Sequence, residues 1–170
     1  MSIRKIIRLG HPTLLTCAQP VRDFNTSALD ELIRDLFDTM VHVGGLGLAA
    51  TQIDVNARVF VMGPSKVMPD FPTLAIVNPE FTSDGILKQN WESCLSIPEM
   101  KGQVLRHDRI SYTGRSADGN SIEGALSGWP SFIFQHELDH LNGITLIQKL
   151  SGPGMFGFRD EISSYHGTSL

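Results

Sequence analysis

Near its C-terminal end the chain contains two histidines four positions apart, in the segment QHELDHLNG, residues 135–143. Positions i and i+4 lie on the same face of a helix, so His136 and His140 can bind one metal ion together. Glu137 directly follows the first histidine, where it can act as a general base. A catalytic metal site of this kind has three protein ligands and one open position. The segment therefore predicts a metal site and leaves its third ligand to be found.

Two possible sources of a third ligand lie downstream. The metalloprotease pattern HExxHxxGxxH requires a third histidine, and the chain has Leu146 at that position. A downstream glutamate would complete a His₂Glu site, and Glu161 is the candidate. The glycine-rich segment 151–157 interrupts any helix that would present this glutamate rigidly. The histidine is therefore excluded, and the glutamate remains possible.

A cysteine is the third possible source. Cys94 lies in NWESCLSIPEM, residues 90–100, whereas Cys17 has no comparable polar surroundings. Thiolate and imidazole ligands together suit Zn²⁺ or Fe²⁺. A single cysteine is more often a small buried core residue. The residues alone therefore leave both Glu161 and Cys94 as candidates.

The composition is that of an ordinary globular protein. The chain has 170 residues, of which 41% are hydrophobic and 19% charged, a size typical of one domain. A net charge of −4 and the absence of a basic run argue against a large nucleic-acid surface. No signal-peptide core and no apolar run near the roughly 18 residues that span a membrane are present. We therefore expect one cytoplasmic domain over residues 1–170, without nucleic-acid or membrane partners.

Helix and strand patterns place the two histidines on the second of two long helices. Apolar spacing predicts the first helix in residues 27–45, ending at its two glycines. The second begins near Pro130 and stops at Gly143. The tail is expected to be a glycine-rich loop with one short helix. Strands are predicted at 58–63, 73–81, 103–115 and 120–126, the last two as a hairpin around residues 117–120. The fold class is α+β, with mostly antiparallel strands around a central metal-binding helix.

Three motifs together resemble those of the peptide deformylase family. They are GLGLAATQ at 45–52, ESCLS at 92–96 and QHELDHLNG at 135–143, in the family's order. The opening IRLGHPTLLTCAQPV at 7–21 also matches, so the resemblance covers nearly the whole chain. It implies a deformylase-like fold and an enzyme that removes the formyl group from N-formylmethionyl peptides, releasing formate. The implied substrates are nascent chains at the ribosome.

The resemblance also implies the metal ligands and the catalytic groups. Cys94 would join His136 and His140 on one divalent ion, Fe²⁺ in the cell, with Zn²⁺, Ni²⁺ or Co²⁺ possible in purified protein. Glu137 would move the proton of the attacking water. The oxyanion would accept hydrogen bonds from the remaining two catalytic groups, the side chain of Gln52 and the backbone N–H of Leu95.

The glycines of the first motif leave room for the backbone of an extended peptide. The same glycines also serve to end the preceding helix. The resemblance places a methionine pocket here, although plain core packing is an equal alternative for Ile133. The implied substrate-binding residues are Gly45, Leu46, Gly47, Ser93 and Ile133.

Supporting residues and departures from the family pattern complete the comparison. The resemblance implies a buried salt bridge between Glu92 and Arg106. Asp139 either orients a histidine, faces solvent or stabilises the helix. The family commonly has proline at the position of Thr51 and glycine at that of Ser93. The serine side chain is expected to affect catalytic efficiency and substrate preference.

Two other functions compete with the deformylase hypothesis. One is a metallopeptidase that uses Glu161 as the third ligand with His136 and His140. The other is a formyl-peptide-binding homologue without catalysis, an idea motivated by Ser93 and Thr51. Formate release separates the deformylase from both alternatives.

Overall fold

Two antiparallel sheets and three α-helices make up residues 2–66 and 68–166, the part of the chain that this computed structural model describes. The helices are α1 (Ser27–Val43), α2 (Trp129–Leu141) and α3 (Arg159–His166). Short 3₁₀ helices cover Pro12–Leu15, Ala50–Ile53 and Leu146–Lys149. The strands are β1 (Gly47–Ala49), β2 (Val59–Met62), β3 (Leu74–Ser83), β4 (Leu87–Cys94), β5 (Ile97–His107), β6 (Arg109–Arg115), β7 (Ser121–Ser127) and β8 (Phe156–Phe158).

The larger sheet has the strand order β1-β2-β3-β6-β7, and the smaller one the order β4-β5-β8. Every neighbouring pair is antiparallel. Helix α2 contacts β1, β2 and β7 of the larger sheet and β5 of the smaller one. The predicted α+β fold, with mostly antiparallel strands around a central helix, is confirmed. None of the helices in residues 2–66 and 68–166 is long and apolar enough to cross a bilayer.

The two long helices begin and end where the sequence predicts. Thr26 caps α1 by accepting a hydrogen bond from the backbone N–H of Leu29. Gly44 ends that helix in the left-handed conformation, with φ of 72°. On α2, Phe134 is fully buried and meets Phe60 edge-on at 5.0 Å between ring centroids. This packing fixes α2 against the larger sheet, and the histidine positions with it.

The prediction of one strand over 103–115 is wrong, because the chain changes sheets at Asp108. Its backbone N–H donates to Ile86, and its carbonyl oxygen accepts from Gly128. Strand β5 therefore ends before Asp108 in the smaller sheet, and β6 begins after it in the larger one. The predicted β6–β7 hairpin is confirmed. The tail carries the expected short helix, preceded by the unpredicted strand β8.

Strand β4 is absent from the sequence prediction because its inward face is polar. Asn90, Glu92 and Cys94 are buried, whereas the alternate residues Gln89 and Ser93 are exposed and Trp91 is partly buried. The alternation typical of a strand is present in burial but not in hydrophobicity. The smaller sheet thus turns polar side chains toward α2.

Candidate metal centre and active site

Three potential metal ligands meet between β4 and α2. Cys94 ends β4, while His136 and His140 occupy successive turns of α2. Their candidate ligand atoms all lie within 4.8 Å of one another, and all three residues are buried. The Sγ of Cys94 lies 3.2 Å from Nε2 of His140. The structure therefore brings together the ligand set that the sequence resemblance implies.

The cluster favours the thiolate form of its cysteine. Burial alone would raise the pKa of Cys94, but contacts with His140 and His136 lower it from 9.0 to about 5. Burial alone would lower the pKa of His136, but its hydrogen bonds to Cys94 and Glu92 raise this pKa well above 6.5. A thiolate is the form of cysteine that binds a metal ion.

A carboxylate from β4 orients the first histidine. Oε2 of Glu92 lies 2.8 Å from Nδ1 of His136, which leaves Nε2 of that ring for a metal. Arg106 on β5 donates to both oxygens of Glu92 at 3.0 Å, so the expected buried salt bridge is present. Burial raises the pKa of Glu92, but Arg106 and His136 lower it to about 2. Glu92 is therefore a carboxylate at neutral pH.

Asp139 does not orient a histidine. Its carboxylate accepts a hydrogen bond from Arg106, on the opposite side of the guanidinium from Glu92. Arg106 thus links one carboxylate on β4 to another on α2. This arrangement fixes the strand that carries Cys94 relative to the helix that carries both histidines.

Glu137 is buried beside the cluster without a full set of hydrogen bonds. Among the described residues, its Oε2 has no partner. Burial is the main cause that raises the pKa of Glu137 from 4.5 to about 7. A carboxylate with this pKa can take up and release a proton near neutral pH. Gly47 lies against it, since a Cβ there would be 2.8 Å from both Cγ and Cδ of Glu137.

Gln52 points its amide nitrogen at the cluster. Its Oε1 accepts a hydrogen bond from the N–H of Ala49, while Nε2 lies 3.3 Å from Oγ of Ser96 and 3.9 Å from Sγ of Cys94. The first contact fixes which end of the amide faces the site. Thr51 is buried, and its hydroxyl donates to the carbonyl oxygen of His140. The threonine at this position therefore makes its own link to α2.

A cavity of about 450 Å³ opens beside the cluster. Leu95 lies next to Cys94 in the turn between β4 and β5. The cavity lining contains every site residue named from the sequence except His140: Gly45, Leu46, Gly47, Gln52, Ser93, Cys94, Leu95, Ile133, His136 and Glu137. The candidate catalytic groups and the candidate peptide-binding residues therefore share one space.

Comparisons with known proteins agree with this geometry. The profile of the family described as "Polypeptide deformylase" matches residues 3–154. This chain belongs to the polypeptide deformylase family. Peptide deformylase 1 of Prochlorococcus marinus is 37% identical over 171 residues, covering 96% of this chain and 89% of the relative. Peptide deformylase 1 of Nitrosomonas europaea is 38% identical over 166 residues, covering 94% of each chain.

Solved deformylases have the same fold. The Met-Ala-Ser-bound class I type b peptide deformylase from Acinetobacter baumannii is 30% identical, with a TM-score of 0.82 over 88% of this chain and 99% of that one. The peptide deformylase from Thermotoga maritima is 34% identical, with a TM-score of 0.83 over 89% of this chain and 100% of that one. The predicted family and fold are confirmed. The predicted enzyme class is confirmed as well: metal-dependent removal of N-terminal formyl groups from nascent peptides.

The structure does not bring Glu161 to the histidines. This residue is exposed on α3 and lines a separate groove with Glu99 and Ser163. The ligand cluster among the described residues consists of cysteine and the two histidines alone. The position of Glu161 therefore argues against a metallopeptidase with a His₂Glu site in this deformylase.

Several residues of the cavity wall were not found from the sequence, among them two tryptophans and an arginine. Trp129 stands one helical turn before Ile133, so its position on the same face of α2 could have been inferred. Trp91 belongs to the unpredicted strand β4. Arg159 belongs to α3, beyond the segment that matches the family profile, and no motif pointed to it.

Proposed function

We propose that this chain deformylates N-formylmethionyl peptides with Cys94, His136 and His140 as metal ligands and Glu137 as the proton carrier. The observation that carries the proposal is the buried ligand cluster beside an incompletely paired carboxylate, at the wall of an apolar cavity. The reaction splits the formyl C–N bond with one water molecule and yields formate and a free amine.

The residues present fit a divalent metal ion. A thiolate and two imidazoles form a donor set that binds borderline-soft divalent ions. When bound, the ion would supply Lewis-acid activation of water and of the formyl oxygen. We propose Fe²⁺ for the cell, with Zn²⁺, Ni²⁺ or Co²⁺ able to occupy purified protein. Glu92 would hold the ring of His136 in the orientation that directs Nε2 to the ion.

Glu137 moves the proton. Its carboxylate accepts a proton from the attacking water and later gives it to the nitrogen of the leaving amine. A pKa of about 7 makes both transfers feasible near neutral pH. The close approach of Gly47 restricts where the carboxylate can lie.

Gln52 and Leu95 stabilise the negative charge that develops on the formyl oxygen. Nε2 of Gln52 and the backbone N–H of Leu95 would donate to this oxygen. The hydrogen bond from Ala49 to Oε1 holds the Gln52 amide in its donating orientation before substrate arrives. Such preorganisation avoids reorientation of the amide during the reaction.

The peptide would bind along β1. Among the described strands, β1 is at the edge of the larger sheet and pairs with β2 alone. An extended peptide can pair with such an edge through backbone hydrogen bonds. Gly45 and Gly47 would line the peptide's path on one side and Ser93 on the other, while Leu46 and Ile133 offer an apolar wall for the methionine side chain. The proposed setting is a single cytoplasmic domain acting on nascent chains at the ribosome.

Formate release from a short N-formyl-Met peptide tests the function. Protein purified anaerobically and loaded with Fe²⁺ or Ni²⁺ should turn over, and Glu137→Ala with the same metal content should not. Cys94→Ala should lose bound metal, as measured by elemental analysis. Formyl-peptide binding without formate release by the metal-loaded protein would refute the proposal and favour the non-catalytic homologue.

A further inference from the structure

A basic side chain, Arg159, lines the catalytic cavity from outside the segment 3–154 that matches the family profile. It is the first residue of α3 and directly follows β8, where Phe158 pairs with Met100 of β5. This pairing ties the start of α3 to the sheet that carries Cys94. Arg159 borders the cavity together with Trp91 and Ser93 of β4.

The charge of Arg159 is available to a ligand. It is the only lysine or arginine among the described residues that line this cavity. Its guanidinium is exposed and makes no hydrogen bond or ion pair with the rest of residues 2–66 and 68–166. The lining also contains Glu92 and Glu137, but Arg106 pairs with the first, and the second lies buried at the ligand cluster.

The position of Arg159 suits the residue that follows the formylated methionine. With the formyl group at the cluster and the methionine side chain against Leu46 and Ile133, the rest of the peptide must leave over the cavity rim. Ser93 is exposed on this rim. Arg159 also borders a second groove, whose lining includes the acidic residues Glu99, Asp160 and Glu161. Their negative charges partly offset that of Arg159, which keeps its attraction for a peptide carboxylate within the range of an exposed ion pair.

We propose that Arg159 is a specificity residue that favours an acidic side chain directly after the formylmethionine. The proposal rests on the deformylase function proposed above. A guanidinium can donate two parallel hydrogen bonds to a carboxylate. Arg159 lies outside the ligand cluster, so its pairing with an acidic peptide should act on KM. For a neutral peptide, which cannot form the pair, kcat should not depend on Arg159.

Three peptide amides test the proposal: formyl-Met-Ala-Ser, formyl-Met-Asp-Ser and formyl-Met-Lys-Ser, each with an amidated C-terminus. The amide removes the terminal carboxylate, which would otherwise compete for Arg159. At low ionic strength, kcat/KM should be about three- to fivefold higher for the Asp than for the Lys peptide, the range expected for an exposed pair. The preference should shrink in about 0.5 M salt, because exposed charges are screened.

Variants of the same position assign the effect. Arg159→Gln should abolish the preference, Arg159→Glu should reverse it, and Arg159→Lys should retain part of it, with kcat for the Ala peptide within about twofold throughout. The same Asp-to-Lys ratio in the wild type and in Arg159→Glu would overturn the proposal. So would a wild-type preference for the Lys peptide, which would assign specificity to the acidic groove instead. Absence of formate from every peptide, including Ala, would refute the proposed function rather than this inference.

Discussion

Gly47 should be required for catalysis because of the space that it leaves for Glu137. A Cβ at this position would lie 2.8 Å from both Cγ and Cδ of Glu137. Carbon atoms in contact normally stand about 3.5–4.0 Å apart, so Gly47→Ala forces a displacement of roughly 1 Å. Glu137 is buried on a packed helix, which leaves its side chain little room to move as a whole. The carboxylate must therefore leave its position beside the ligand cluster.

A misplacement of about 1 Å in a catalytic group can cost roughly 10²-fold in rate. We therefore expect Gly47→Ala to lower kcat by about 10²-fold, with formate release as the assay. Overpacking should also lower the free energy of unfolding by about 1–3 kcal/mol. Bound metal should stay at the wild-type level, because the three atoms nearest to the added Cβ all belong to Glu137, which is not one of the proposed ligands.

Gly45→Ala is the matched control in the same segment. Its Cβ would meet the end of the flexible Leu95 side chain at 3.1 Å and leave Glu137 untouched. The control should change KM for the peptide more than kcat. A Gly47→Ala protein that binds metal, remains folded and keeps kcat within twofold of the wild type would refute the steric reasoning.

Two further predictions concern the charged groups around the ligands. Arg106→Met removes the guanidinium that pairs with the buried Glu92 and the partly buried Asp139, and it leaves Glu92 with His136 as its remaining partner. It should destabilise the metal-free protein by about 3–5 kcal/mol in urea unfolding. A loss below about 1 kcal/mol would contradict the linking role of Arg106. In metal-free protein, the thiolate absorbance of Cys94 should titrate with a midpoint near pH 5, because the histidines lower the pKa of this thiol. Metal affinity should fall below that pH, because the protonated thiol is not a ligand. Cys94→Ser should remove this transition, and a midpoint near pH 9 in the wild type would show that the histidines do not stabilise the thiolate.

Elements with hydrophobic periodicity could be predicted from the sequence. Helices α1 and α2 have apolar stripes and explicit end signals, and β2 and β3 are apolar runs, so their existence and approximate bounds follow from local patterns. The break at Asp108 could not be predicted, because residues on both sides continue as strands. Only the pairing of β5 and β6 with different sheets shows where one strand ends.

The candidate site was predictable to a different extent for each residue. The two histidines and Glu137 follow from helical spacing alone. Cys94 required the resemblance to a family, because nothing in the spacing chooses it over Glu161. The contact between Gly47 and Glu137 joins segments far apart in the chain, and no local pattern encodes it.

The polar inward face of β4 explains both a failed prediction and the location of the site. A strand whose buried positions are Asn90, Glu92 and Cys94 has no hydrophobic alternation to reveal it. Burying a polar group costs free energy unless the group is paired. Here Glu92 pairs with Arg106 and His136, and Cys94 lies against the histidines. The buried polar side chains that deprive β4 of hydrophobic alternation are thus the ones that orient and complete the ligand cluster on α2.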